Sequence, residues 1–228
     1  VLGPINGGVP WPAGFEIEMK RENEWLSKLR GLFHWLPGRA ATMRADAILV
    51  GALQTLNDIP ARHRPRCIYL PENGIDPLRF HRRSVHQKGP LRACFIGRLV
   101  PLKGVDMLLA AAEPLLKTGQ MTLDIVGDGP MMGALTAQAD GWEGVTFHGW
   151  QKHEDVQNIA STCSVLTFPS IREFGGGVVL EAMALGLCPV VLDYAGPAEL
   201  VTDETGYKVP MGDRHSVVDG LRAQLIHC

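Results

Sequence analysis

Two stretches of this chain hold side chains whose types and spacing suit them to chemistry. In Gly97-Arg98-Leu99-Val100-Pro101-Leu102-Lys103-Gly104, an arginine and a lysine stand five residues apart. Arginine presents a planar fork of donors and lysine a point charge, and this spacing lets both reach one diphosphate. In Glu173-Phe174-Gly175-Gly176-Gly177-Val178-Val179-Leu180-Glu181, two carboxylates stand eight apart around a run of glycines. Carboxylates accept hydrogen bonds from sugar and ribose hydroxyls. Glycine backbone N–H groups approach an anion without interference from a Cβ. Glu181 lies in the otherwise apolar stretch from Val178 to Leu187, where an acid must find a partner or a ligand. Cations for a diphosphate beside acids for hydroxyls describe a site for a sugar nucleotide.

The elements that position these residues follow from hydrophobic period. From about Arg92, short β-branched runs alternate with longer helical patterns. The expected strands are Ala93 to Ile96, Thr122 to Val126, Val145 to Phe147, Val165 to Phe168, Pro189 to Leu192 and Tyr207 to Val209. The expected helices are Val105 to Lys117, Met131 to Ala139, Glu154 to Thr162, Gly177 to Leu185, Pro197 to Val201 and Ser216 to Ile226. Strands apolar throughout, separated by helices, make a parallel sheet covered on both faces. The fold class is therefore α/β, a doubly wound parallel sheet, with its ligand at the carboxyl ends of the strands. Both chemical stretches fall at such ends. Gly127-Asp128-Gly129-Pro130 also ends a strand, and reads as a structural turn with Pro130 in the first turn of the next helix.

Residues 1 to 90 do not form such a unit alone. They hold strand-like runs at Ala47 to Gly51 and Cys67 to Leu70, too few for a sheet of this class. The opening Val1-Leu2-Gly3-Pro4-Ile5-Asn6-Gly7-Gly8 reads as loop. The chain is thus expected to divide into the closing part of a preceding domain, residues 1–90, and a nucleotide-binding domain, residues 91–228, as a fragment of a longer protein. A helix from Phe15 to Leu36 carries Trp25, Leu26, Leu29, Leu32, Phe33 and Leu36 on one stripe beside Lys20, Arg21, Lys28 and Arg30. Such a stripe packs into its own domain. The rival reading is peripheral contact with the cytoplasmic face of a membrane.

A formal net charge of −2 argues against a nucleic-acid binder, but the charge is uneven. Residues 1 to 90 hold 13 Lys and Arg against 8 Asp and Glu, and the rest of the chain holds 9 against 16. This shift marks a boundary near Lys88-Gly89-Pro90. Five scattered cysteines, with no Cys-x-x-Cys, suit a reduced cytoplasmic protein. No run of about 20 apolar residues and no signal peptide is visible. There is no Gly-x-Gly-x-x-Gly, which counts against a nicotinamide or flavin dehydrogenase, and no Walker loop. Without Asp-x-Asp or zinc-spaced histidines, no metal is expected.

The ordered strings then resemble a family. Ala45-Asp46-Ala47-Ile48-Leu49-Val50, Pro71-Glu72-Asn73-Gly74-Ile75-Asp76, Gly97-Arg98 with Leu102-Lys103-Gly104, Ile125-Val126-Gly127-Asp128-Gly129-Pro130, Glu173 to Gly186 and Pro189-Val190-Val191 are similar to the C-terminal half of retaining glycosyltransferases of family 4. Pro197-Ala198-Glu199-Leu200-Val201 fits the helix that follows in that family. These enzymes have the two-domain GT-B fold.

The resemblance implies a donor site for a nucleoside-diphosphate sugar, UDP or GDP, used as co-substrate without a metal or other cofactor. Arg98 and Lys103 match the diphosphate ligands, Glu173 the acid on sugar hydroxyls, and Glu181 the acid on the ribose, with Gly97 in the same nucleotide-sugar-binding set. Phe174 and the amides of Gly175, Gly176 and Gly177 meet the donor, and the base lies near Gly149 to Glu154, a segment that includes Lys152. Glu173, Arg98 and Lys103 are the implied catalytic set. Two departures stand out: Phe174 follows Glu173 directly where the family has one residue between, and a third glycine follows. The acceptor, a sugar, a lipid-linked or a small molecule, would meet an N-terminal domain mostly absent here. The alternatives are a non-hydrolysing sugar-nucleotide epimerase and a binding module without catalysis.

Overall fold

The computed structural model describes residues 1–5, 8–22, 44–76, 80, 83–84 and 89–228. Six parallel strands form the larger sheet: β4 (Leu91–Ile96), β5 (Met121–Val126), β6 (Val145–Gly149), β7 (Val165–Phe168), β8 (Cys188–Leu192) and β9 (Tyr207–Val209). Their spatial order is β6-β5-β4-β7-β8-β9. Leu91 pairs with Met121 and Ile96 with Val126 on one flank of β4; Ala93 pairs with Val165 on the other. The chain therefore winds outward from β4 in one direction, returns to β7 beside it, and winds outward the other way. That reversal is a topological switch point, where adjacent loops part and leave a crevice at the carboxyl ends.

Central strands are apolar because both faces are covered. Ala93, Cys94, Phe95, Leu166, Val190, Val191 and Leu192 are fully buried, and α3 (Val105–Lys117) lays Met107, Leu108, Leu109, Ala111 and Ala112 into the same core. At the other end, α8 (Arg214–His227) adds Val217, Leu221 and Leu225. The Asp213 carboxylate caps α8 by accepting from the Ser216 amide at 2.8 Å, and the Arg222 guanidinium donates to the Ala110 carbonyl at 3.0 Å.

A smaller parallel sheet, β1 (Leu2–Ile5), β2 (Ile48–Val50) and β3 (Cys67–Tyr69), lies in the order β1-β2-β3, with α2 (Leu53–Asp58) after β2. The opening residues are thus a strand, not the loop expected from their glycine and proline. Pro4 fits because β1 is at an edge of the described sheet and its register with β2 shifts between Leu2 and Ile5, the places in a sheet where proline is tolerated. The helix α1 is described over Glu16–Arg21; the stripe from Trp25 to Leu36 lies outside the described residues. Residues 9–22 cross to the larger sheet. Phe15 is fully buried in its core, Arg172 Nε donates to the Val9 carbonyl at 2.7 Å, and Tyr194 Oη donates to the Pro10 carbonyl at 2.9 Å.

Among the described residues no helix is long and apolar enough to cross a membrane.

Candidate functional site

The loops leaving β4 and β7 meet at the switch point. The first runs from Gly97 through a short 3-10 turn at Pro101–Lys103 to Gly104, whose φ of 65° places it in the left-handed region. A Cβ there would lie 2.4 Å from the Pro169 carbonyl oxygen, so only glycine lets the two loops come so close. Hydrogen bonds then stitch them: Ile171 N donates to Leu102 O at 2.9 Å and Ser170 Oγ to the same oxygen at 3.3 Å.

The third loop, after β5, braces the first. Leu99 N donates to Asp128 O at 2.9 Å and Met131 N to Leu99 O at 3.0 Å. A Cβ on Gly127 would fall 1.9 Å from the Gly97 carbonyl oxygen, which accounts for that glycine as a matter of packing. This bears out the structural reading of the Gly127–Pro130 turn with one correction. Pro130 is not in the first helical turn, because Asp128 and Gly129 are held against the β4 loop and the helix, α4 (Met132–Gln138), begins two residues later.

Stitching brings Lys103 and Glu173 into contact. The Lys103 ammonium donates to Glu173 Oε2 and sits 4.8 Å from the Phe168 ring centroid. With side chains only 16% and 22% exposed, this pair is better shielded from water than an ordinary surface salt bridge. Arg98 is exposed, and no hydrogen bond or ion pair holds its side chain among the described residues.

Helix α6 (Gly177–Ala184) follows, entered through Gly176 at φ 69°. Among the described residues no side chain caps it, so its first amides, at the positive end of the helix dipole, have no side-chain acceptor. Glu181 lies one turn inside. It is half-buried, burial raises its carboxyl above the ordinary 4.5, and the nearby His153 opposes the shift. No described residue donates a hydrogen bond to it. A half-buried acceptor without a donor is suited to a ligand hydroxyl.

Beyond it, Gly149 ends β6 at φ 66° and pairs beside Val126. Lys152 is exposed and is the N-cap residue of α5 (His153–Ala160), and the Lys103–Glu173 contact does not include it. Trp150, 71% exposed on the same loop, went unnoticed in the sequence because an isolated tryptophan has no period. Its exposure beside this row of loops is the signal. Phe174 and Gly175 are partly buried, and Gly177 is exposed at the helix start. Lys103 and Glu173 are thus in contact, Arg98 lies on the same loop as Lys103 and the glycine run on the same loop as Glu173, while the 149–154 segment follows β6, two strands away from β4. Among the described residues, no group of three or more His, Cys, Asp or Glu is placed to hold a metal ion.

Residues 90–226, the whole of the six-stranded unit, match the family model described as Glycosyl transferases group 1. The chain belongs to that family. A GDP-mannose-dependent alpha-mannosyltransferase of Mycobacterium tuberculosis is 30% identical over 193 residues, covering 80% of this chain and 49% of the relative. A 2-deoxystreptamine glucosyltransferase of Streptomyces kanamyceticus is 29% identical over 155 residues, covering 66% of this chain and 40% of that enzyme. The chain thus spans about half the length of the mannosyltransferase and less of the glucosyltransferase. Among solved structures, the pneumococcal O-GlcNAc transferase in complex with UDP and GlcNAc superposes with a TM-score of 0.62 at 22% identity, covering 80% of this chain and 38% of that one. Anabaena HepE in complex with UDP and glucose gives 0.64 at 18%, covering 82% and 57%. These likenesses fix the fold of this group 1 glycosyl transferase as the α/β, parallel-sheet GT-B type, in partial form.

Proposed function

We propose that this chain is the donor-binding portion of a retaining glycosyltransferase of family 4, which takes a UDP- or GDP-sugar and passes the sugar to a sugar, lipid-linked or small-molecule acceptor. Residues 91–228 form the nucleotide-sugar unit, and residues 1–90 are the closing part of the acceptor-side domain. The observation that carries this reading is the meeting of Lys103 and Glu173 at the switch point of a group 1 glycosyl transferase. A cation for the leaving diphosphate and an acid for the transferring sugar stand side by side there.

In this reading, Arg98, Lys103 and the first amides of α6 receive the diphosphate. Negative charge builds on it as the sugar becomes oxocarbenium-like, and fixed donors already aimed at that charge lower the barrier without reorganising. Glu173 orients the sugar through its hydroxyls. Glu181 accepts from the ribose, and the base lies against the loop of Gly149 to Glu154. The acceptor wall comes from the rest of the protein. Alignment of donor and acceptor supplies about 7 to 11 kcal/mol of such a barrier, so this chain alone binds nucleotide with little or no turnover.

Calorimetric titration of the chain with UDP and GDP tests the binding half, with Arg98→Ala expected to weaken affinity about tenfold or more. Affinity unchanged in both Arg98→Ala and Lys103→Ala removes the phosphate assignment. Incubation with sugar nucleotides, with and without acceptors, tests the rest. Robust acceptor-dependent diphosphate release by this chain refutes its dependence on a further domain. An epimerised nucleotide refutes the transferase.

A further inference from the structure

Two motifs remain without a role in the reading above: Asn73 in Pro71-Glu72-Asn73-Gly74-Ile75-Asp76, and Glu199 in Pro197-Ala198-Glu199-Leu200-Val201. Helix α2 begins at Leu53 after Ala52, which offers no side-chain cap. The missing cap comes from 146 residues away. Glu199, on α7 (Ala195–Leu200), accepts from Leu53 N at 3.0 Å and from Gln54 N at 3.2 Å, and Tyr69 Oη of β3 donates to it at 3.3 Å. One carboxylate thus ties the larger unit to two elements of the smaller sheet.

The other end of the same short helix holds the glycine loop. Gly196, one turn before Glu199, donates its amide to the Glu173 carbonyl at 3.2 Å, and a Cβ on Gly196 would lie 1.9 Å from the Phe174 carbonyl oxygen. Helix and loop are therefore in backbone contact. Asn73 reaches the loop directly from the smaller sheet's exit segment: its Nδ2 donates to the Gly175 carbonyl at 2.6 Å, and a Cβ on Gly175 would be 2.7 Å from Asn73 Oδ1. A six-residue helix is about 9 Å long, so one short element joins the Glu199 contacts to the Glu173–Gly176 loop.

We infer that Glu199 and Asn73 are positioning residues that couple occupancy of the Glu173–Gly176 loop to the docking of α2 and β3, without touching the donor. This rests on the reading of that loop as part of the donor site. Coupling between two sites is reciprocal. A nucleoside diphosphate that orders the loop must tighten the Glu199 cap, and loss of the cap must loosen the loop.

Amide hydrogen exchange on the full chain, with and without UDP or GDP, tests this, because exchange reports local opening segment by segment. In Glu199→Gln, exchange at Leu53 and Gln54 is expected to accelerate about fivefold, the loss of a cap. Exchange at residues 173–177 is expected to rise with it, even without nucleotide. A merely local cap would leave 173–177 unmoved, and that result overturns the coupling. In the unsubstituted chain, nucleotide is expected to protect both 173–177 and 53–56; in Glu199→Gln, only 173–177. Protection of 173–177 alone in the unsubstituted chain overturns the inference and leaves the donor-site reading standing. No protection of 173–177 by either nucleotide overturns the donor-site reading itself. Tyr69→Phe, which removes one bond of the three, and Asn73→Ala give the same test if Glu199→Gln does not fold.

Discussion

Substituting Glu173 by glutamine separates a rival for Lys103 from a ligand of the donor. In the structure, the Lys103 ammonium is paired with the Glu173 carboxylate, so a bare diphosphate must compete with that carboxylate for it. Two unit charges about 4 Å apart attract with about 4 kcal/mol at an effective dielectric of about 20. Hydration of the freed carboxylate returns much of that, and with side chains 16% and 22% exposed we take a net cost of about 1 to 1.5 kcal/mol. Glu173→Gln should therefore bind bare UDP or GDP about five- to tenfold more tightly. Lys103→Ala should lose the charge-assisted contact, about 1.5 to 3 kcal/mol, and leave Glu173 facing the phosphates. Its affinity should fall about a hundredfold. The double mutant isolates the pair: in the Lys103→Ala background, Glu173→Gln removes only charge repulsion and should tighten binding about two- to threefold. Calorimetry at low salt measures all four. Equal tightening by Glu173→Gln in both backgrounds would reduce the pair to long-range repulsion. Weaker binding of the bare diphosphate by Glu173→Gln would refute the reasoning outright. The intact sugar nucleotide should gain less than the bare one, because glutamine also loses the sugar hydroxyls.

Glu181→Gln should weaken nucleotide and sugar nucleotide alike, yet stabilise the empty protein at neutral pH. Burial raises the Glu181 carboxyl, so the folded state favours its protonated form, and that contribution is full below about pH 4.5 and lost as pH rises through the raised value. The gain in Tm should be about 1 to 2 °C at pH 7, small because the group is half in water, and absent at pH 4; a gain that does not vary with pH would contradict it. Gly104→Ala should be destabilising and abolish nucleotide binding, since a Cβ meets Pro169 backbone at 2.4 Å in a left-handed conformation; an unchanged melting curve would refute the loop contact. Cys188 and Cys228 line one cavity at the opposite end of the sheet. The hydrogen bond from Cys228 brings the Cys188 thiol down to about 7 against the opposing effect of burial, so alkylation of Cys188 should be half-maximal near neutral pH and shift upward in Cys228→Ala, which removes the donor. An unshifted profile would refute the thiol contact.

The alternation of strands and helices after Arg92 was legible in the sequence. Apolar period is local, and strands buried on both faces announce themselves as β-branched runs; Val165–Phe168 and Val105–Lys117 have the very bounds their residues suggest. The residue types of the candidate site were legible too, because cations, acids and glycines at strand ends are features of short stretches. Strand Leu2–Ile5 was not, since an edge strand containing Gly3 and Pro4 exists only through its pairing with β2. The larger decisions belong to the tertiary structure. Seventy residues separate Lys103 from Glu173, and only the placement of β4 beside β7 makes them neighbours. Glu199 looked like one acid on a short helix until the chain returned it to an uncapped helix start at Leu53. Composition and period describe what each segment is able to do. Strand order decides which segments face one another, and so which charges meet.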